Sequence, residues 1–171
     1  LHSRGKAGDR QRTDINSLLA EAITLGYHSM RAQNNNFNLK FETDYDPTIG
    51  MVEIVPQNIS RVFLNIVNNA CYSTNQKKII LKDSYSPLLQ VRTINSGDHI
   101  TIYIRDNGTG IPQDIIDKVF NPFFTTKPAG QGTGLGLSLS YDIVVQEHHG
   151  EMKVNSREGE FAEFIIMIPK T

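Results

Sequence analysis

Residues 106–136, DNGTGIPQDIIDKVFNPFFTTKPAGQGTGLG, constrain the fold more than any other part of the chain. Gly108 and Gly110 stand near one end, and Gly132, Gly134 and Gly136 at the other. Between them lie an amphipathic turn, a Phe-rich segment and Lys127 followed by Pro128. Glycine at this density means that backbone approaches something closely, or takes dihedrals closed to other residues. Packing alone does not ask for this. A nucleotide does, with the first cluster at its base and the second at its phosphates.

The flanking pattern supplies a scaffold for such a site. Residues 1–12 are polar, basic and without period, and read as a linker or a frayed element end. Asp14 can cap a helix starting at Ile15, whose apolar face carries Leu18, Leu19, Ala22, Ile23 and Met30. The Asn run at 34–36 ends it. Residues 38–44 alternate as a half-buried strand with Leu39, Phe41 and Thr43 inward, and 51–55 form a second strand. Pro56 opens a long helix with Ile59, Val62, Phe63, Ile66 and Val67 as its buried stripe. Lys77 and Lys78 suit its negative pole. Residues 88–95 and 99–106 form a hairpin, and Pro112 starts a short helix to residue 119. Residues 121–133 read as a mobile loop, 134–149 as a helix closed by Gly150, and 151–156 with 160–168 as a last hairpin. The class is α+β, one mixed and mostly antiparallel sheet covered on one face by helices.

With 171 residues, 39% apolar and 20% charged, the chain builds one globular domain. A net charge of -1 gives no general argument for nucleic acid or an acidic membrane. One cysteine excludes an internal disulfide and a cysteine-rich zinc site. No apolar run approaches the roughly 20 residues of a membrane span.

Three groups of residues carry chemistry. Asn65 and Asn69 lie four apart, on one helix face. Either they bond neighbouring backbone, or they offer amide oxygens to a hard cation such as Mg²⁺. Asp106 ends a strand before Gly108 and Gly110; it either closes a turn or accepts a hydrogen bond from an adenine amino group. The run Gly132-Thr133-Gly134-Leu135-Gly136-Leu137 opens a helix and is either a hinge or a phosphate cradle. It is neither a P-loop nor the dinucleotide fingerprint, because no Gly-Lys-Ser/Thr ends it and a loop precedes it. Lys127, in the same loop, is either solvated or within reach of a terminal phosphate.

In this order the motifs resemble the catalytic, ATP-binding domain of two-component sensor histidine kinases, of the GHKL superfamily. The resemblance covers about residues 13–169, leaving 1–12 as a linker from a dimerisation hairpin and 13–171 as the catalytic domain. It implies the Bergerat α/β sandwich with an ATP lid, and ATP and Mg²⁺ as cofactors. Asn69 then matches the Mg²⁺ ligand and Asn65 its companion, on the metal or on nearby water. Asp106 resembles the adenine-reading carboxylate, with Gly108 and Gly110 beneath the base and Ile111 packed on it. Phe120, Phe123 and Phe124 match the Phe motif that packs the lid and helps dock the histidine-bearing helix. Gly132, Thr133, Gly134 and Gly136 match the phosphate loop, with Leu135 and Leu137 near the nucleotide. Lys127 stands where the family often carries a basic lid residue.

Three positions depart from the pattern. Tyr72 stands where many relatives carry a basic residue pointing to the phosphates, which leaves more work for Lys127. Phe161 and Ala162 stand where relatives often have Gly-Thr, so a hydroxyl that helps bind adenine through water is absent. The ATP-hydrolysing superfamily members resemble one another in a Glu four residues before the metal Asn. Here that position is Asn65, whose amide cannot accept a proton at neutral pH. The resemblance therefore implies a protein-histidine kinase domain that spares the γ-phosphoryl for an imidazole. Its partners would be a separate phosphoacceptor histidine domain and, indirectly, a response-regulator receiver domain, with no nucleic acid or membrane contact. A monomeric domain in the cytoplasm is expected. None of His2, His28, His99, His148 and His149 matches the family's phosphoacceptor box. A nucleotide sensor without transfer and a serine kinase of the anti-sigma type are the alternatives.

Overall fold

A computed structural model describes residues 8–127 and 136–170. Strand β1 is Gln11–Asp14, followed by helix α1 at Ile15–Gln33, β2 at Lys40–Asp44 and β3 at Met51–Ile54. Helix α2 spans Pro56–Leu81, strands β4 and β5 span Leu88–Asn95 and His99–Asp106, helix α3 spans Gly136–Tyr141, and β6 and β7 are Glu151–Arg157 and Phe161–Pro169. The main sheet has the order β2-β4-β5-β7-β6. Its β2–β4 pairing is parallel and the other three are antiparallel.

Alternation along β4, β5 and β7 sends Leu89, Val91, Ile102, Ile104, Phe164 and Ile166 to one buried face. Helices α1 and α2 share one continuous core with that face. Asp14 caps α1 as its side chain accepts from the Ser17 N–H at 3.2 Å and the Ser17 hydroxyl at 2.9 Å. Pro56 opens α2, and all five predicted stripe residues are buried. The opposite sheet face carries cation–π pairs, with Arg92 over Tyr103 at 4.9 Å and Arg105 over Phe161 at 3.8 Å.

Several expectations need correction. Gln11 and Arg12, read as linker, belong to a strand: β1 pairs antiparallel with β3, so these two strands form a separate ribbon rather than joining the main sheet. Strand β2 is an exposed edge, not a half-buried strand; Phe41 is 36% exposed and packs edge-on against Tyr27 at 5.1 Å. The helix expected at 112–119 is a single 3₁₀ turn, Ile116–Lys118. After α3 the backbone widens to i→i+5 bonding over Asp142–Glu147. His149, with φ +57°, takes the left-handed position expected of Gly150.

His148 joins the layers. Its ring is buried; Nδ1 lies 2.8 Å from the Ile143 carbonyl, and Nε2 accepts from the Val55 N–H at 3.0 Å. A carbonyl only accepts, so Nδ1 carries the proton and Nε2 is bare. Burial foremost pushes the imidazole pKa below 6.5. The unfolded chain therefore takes up the proton first as pH falls, and stability drops once pH passes below 6.5. Thermal unfolding of the wild type is expected to lose more Tm between pH 7.5 and 5.5 than His148→Gln, whose amide oxygen still accepts from Val55; equal losses would contradict this.

Candidate functional site

Asp106 closes β5 in the middle of the sheet, paired with Leu89 on one side and Ala162 on the other. Its side chain points to the buried face and is 5% exposed. Burial raises its pKa from 3.8 to about 7, against the opposing pull of the Gly108 N–H, the Lys77 charge and the Ser73 hydroxyl. The Gly108 N–H donates to Oδ1 at 2.8 Å. Burial, helped by the Asp106 charge, also pushes the adjacent Cys71 thiol up to about 12, so it is inert at neutral pH.

Above this carboxylate opens a cavity of about 570 Å³, within the range of small-molecule sites. One wall is α2, which presents Asn65, Asn69, Tyr72 and Ser73. The opposite rim comes from Gly110, Ile111, the Phe124–Lys127 segment and the start of α3. One helix thus serves core and cavity together, because its buried stripe and these polar residues occupy adjoining faces.

The two amides do different things. Asn65 Nδ2 donates to the Gly136 carbonyl at 3.1 Å and to Ser140 Oγ at 3.2 Å. Ser140 itself donates to the same carbonyl at 2.8 Å, so its oxygen receives the Asn65 proton and the amide orientation is settled. Asn65 therefore ties α2 to the first turn of α3. Asn69 Oδ1 instead accepts from Lys127 Nζ at 3.3 Å. The same ammonium stands 4.8 Å from the centre of the Tyr72 ring, and burial lowers its pKa.

Gly110 has φ +69°, and a Cβ there would meet the Arg157 carbonyl, so both dihedral and space ask for glycine. Gly108, expected beneath the base, does not line the cavity. A Cβ on it would strike Ser73 and the Asp106 carboxylate, so its role is to let the end of β5 close onto α2. Phe120 does not line the cavity either: its ring lies tilted against Tyr141 at 5.1 Å and edge-on to Phe164 at 6.4 Å. Phe124 lines the cavity, whereas Phe123 is 74% exposed with φ +65°. Gly136, Leu137 and Ile111 line the cavity as anticipated. Gly132, Thr133, Gly134 and Leu135 lie outside the described residues.

Sequence reasoning missed Ser73, four residues after Asn69 and on the same face. Its hydroxyl accepts from the Thr109 N–H at 2.9 Å and lies 3.0 Å from Thr109 Oγ1. It places a hydroxyl beside Asp106, in the part of the cavity where Ala162 has none. Lys77 does more than sit at the negative pole of α2. Its ammonium donates to the carbonyls of Asn107 at 3.1 Å and Gly159 at 2.8 Å, tying α2 to both loops beneath the cavity. Spacing on one helix could have found Ser73; nothing local could have found the Lys77 contacts.

The sequence model of a family described as histidine kinase-, DNA gyrase B- and HSP90-like ATPase matches residues 54–171. Sporulation kinase E of Bacillus subtilis (strain 168) is 33% identical over 91% of this chain and 19% of its own length. Sensor histidine kinase ZraS of Escherichia coli (strain K12) is 31% identical over 93% of this chain and 31% of its own length. The chain thus spans about a fifth to a third of these curated relatives. Among solved structures, the catalytic domain of histidine kinase ThkA, in a nucleotide-free form, superposes with a TM-score of 0.76 at 30% identity, covering 95% of this chain and 97% of that one. ThkA in complex with the response regulator TrrA superposes at 0.69 and 26% identity, covering 95% of this chain and 42% of that one.

Keeping a carboxylate dry costs stability. The folded state holds the Asp106 proton up to about pH 7 while the unfolded chain releases it near 3.8, so this contribution to stability is lost as pH rises through 7. Asp106→Asn is expected to raise Tm at pH 8 by about 3 °C or more, with a smaller gain at pH 5. A variant less stable than wild type at pH 8 would refute the assignment.

Proposed function

Because the chain belongs to the histidine kinase-, DNA gyrase B- and HSP90-like ATPase family, we propose that it binds Mg-ATP in this cavity and gives the γ-phosphoryl to a histidine on a separate domain. The observation that carries the reading is the pairing of a dry carboxylate, Asp106, with a cation-seeking amide oxygen, Asn69, on walls of one cavity. Asp106 accepts the adenine amino group, with Ser73 beside it and Ile111 against the ring. Gly110 lets backbone approach the base. The triphosphate runs towards Asn69 and Lys127, and the stretch between residues 119 and 134 serves as the lid.

The residues fit a magnesium ion. Asn69 Oδ1 already draws an ammonium ion, and Mg²⁺ asks for one or two protein oxygens while phosphates and water fill its shell. An ion held there would neutralise charge on the phosphate oxygens during transfer. Asn65 acts beside it by fixing the start of α3, where Gly136 and Leu137 meet the nucleotide. Its amide nitrogen is committed to Gly136 and Ser140, and neither end of the group can take a proton from water. That supports transfer to an acceptor over hydrolysis.

The length of the relatives supports a further domain carrying the acceptor histidine, with the polar segment ahead of β1 as the connection. The ThkA–TrrA complex supports a receiver domain as the next acceptor. The domain itself works as a monomer in the cytoplasm, where ATP is available; among the described residues no helix is long and apolar enough to cross a membrane.

Titration with ATP tests the reading. Asp106→Ala is expected to abolish binding and Asn69→Ala to remove its dependence on Mg²⁺. The ionised carboxylate is the better acceptor, so affinity is expected to rise with pH by up to about tenfold per unit, levelling off above about 7. Incubation of the chain alone with labelled ATP is expected to give no acid-labile phosphate on protein and slow release of phosphate. Strong self-labelling, or fast turnover without an acceptor domain, would sink the proposal.

A further inference from the structure

Asn65, Asn69 and Tyr72 fall at i, i+4 and i+7 on α2, one straight row along the cavity wall. Lys127 arrives from the loop facing that row. Its backbone N–H donates to Thr125 Oγ1 at 3.1 Å, which sets where the side chain leaves the loop. The flexible lysine stem would spread into solvent at an ordinary surface position. Here its head is held at two points, the Asn69 oxygen at 3.3 Å and the face of Tyr72 at 4.8 Å.

We infer that Tyr72 is a positioning residue: its ring face seats the Lys127 ammonium beside Asn69, so that the loop supplies a cation to this wall of the cavity. This rests on the nucleotide reading above. An aromatic face attracts a cation without binding it as an anion would, so the ammonium stays free to turn towards a phosphate. A carboxylate at residue 72 would repel the triphosphate. A basic residue would repel Lys127. Tyrosine does neither, and it also fills the wall. The seat lies beside Asn69, the oxygen read above as the cation ligand, so the lysine charge acts on the terminal phosphate more than on the base.

Calorimetric titration with Mg-ATP and Mg-ADP tests this in wild type, Tyr72→Phe, Tyr72→Leu and Tyr72→Met, each with and without Lys127→Ala. Loss of the face is expected to weaken ATP about three- to tenfold and ADP less than about twofold, while Tyr72→Phe stays within about twofold of wild type. In the Lys127→Ala background the same replacements are expected to change nothing further. Tyr72→Lys combined with Lys127→Ala is expected to recover ATP affinity, because the charge returns from the helix side. Equal weakening of ATP and ADP, additive effects of the two sites, or wild-type behaviour of both Tyr72→Leu and Tyr72→Met would overturn the inference while leaving the nucleotide site intact. A wild type that binds neither nucleotide would remove the reading beneath it as well.

Discussion

A carboxylate kept almost dry at the end of the central strand is the constraint around which this fold is arranged. Asp106 points into the same face of the sheet as Ile102 and Ile104, where burial penalises its charge. It survives there because the Gly108 N–H, the Ser73 hydroxyl and the field of Lys77 partly offset the lost water. Ser73 and Lys77 both stand on α2, so their help needs that helix lying close over the end of β5. The glycine at 108 permits that closeness, since a side chain there would meet Ser73 and Asp106 itself.

The polar end of the core is thereby a property of the helix as much as of the strand. Along α2, Ile59, Val62, Phe63 and Ile66 bind the sheet, while Asn65, Asn69 and Tyr72 turn to the cavity. The two amides divide the labour by their nitrogen and oxygen ends. Asn65 uses its nitrogen to hold the first turn of α3, and Asn69 uses its oxygen to hold a cation. A glutamate in place of Asn65 could not donate to the Gly136 carbonyl, so that contact and a proton-accepting base are mutually exclusive here. The absence of a base and the anchoring of α3 are one structural choice.

Much of this was legible in the order of residues. The faces of α1 and α2 follow from local periodicity, as do the strands of the 88–106 hairpin and the capping Asp14. The candidate positions Asp106, Asn69, Gly110, Ile111 and Leu137, picked out by motif, all line one cavity. The failures are all non-local. Gln11 and Arg12 look like linker until β3 supplies their hydrogen bonds, and Phe41 looks inward until β2 proves to be an edge. Phe120 looks like a lid residue, yet its neighbours Tyr141 and Phe164 come from far along the chain.

The sequence by itself determined the two long helices, the alternating strands, the lack of a proton acceptor at residue 65 and the set of groups that can meet a nucleotide. These depend on residue chemistry and on neighbours three or four positions away. Only the tertiary structure decided that Ser73 stands beside Asp106, that Lys77 ties two loops beneath the cavity, and that Lys127 rests between Tyr72 and Asn69. Those contacts join segments far apart in the chain, and their geometry is set by how the helix packs on the sheet, which no local pattern encodes.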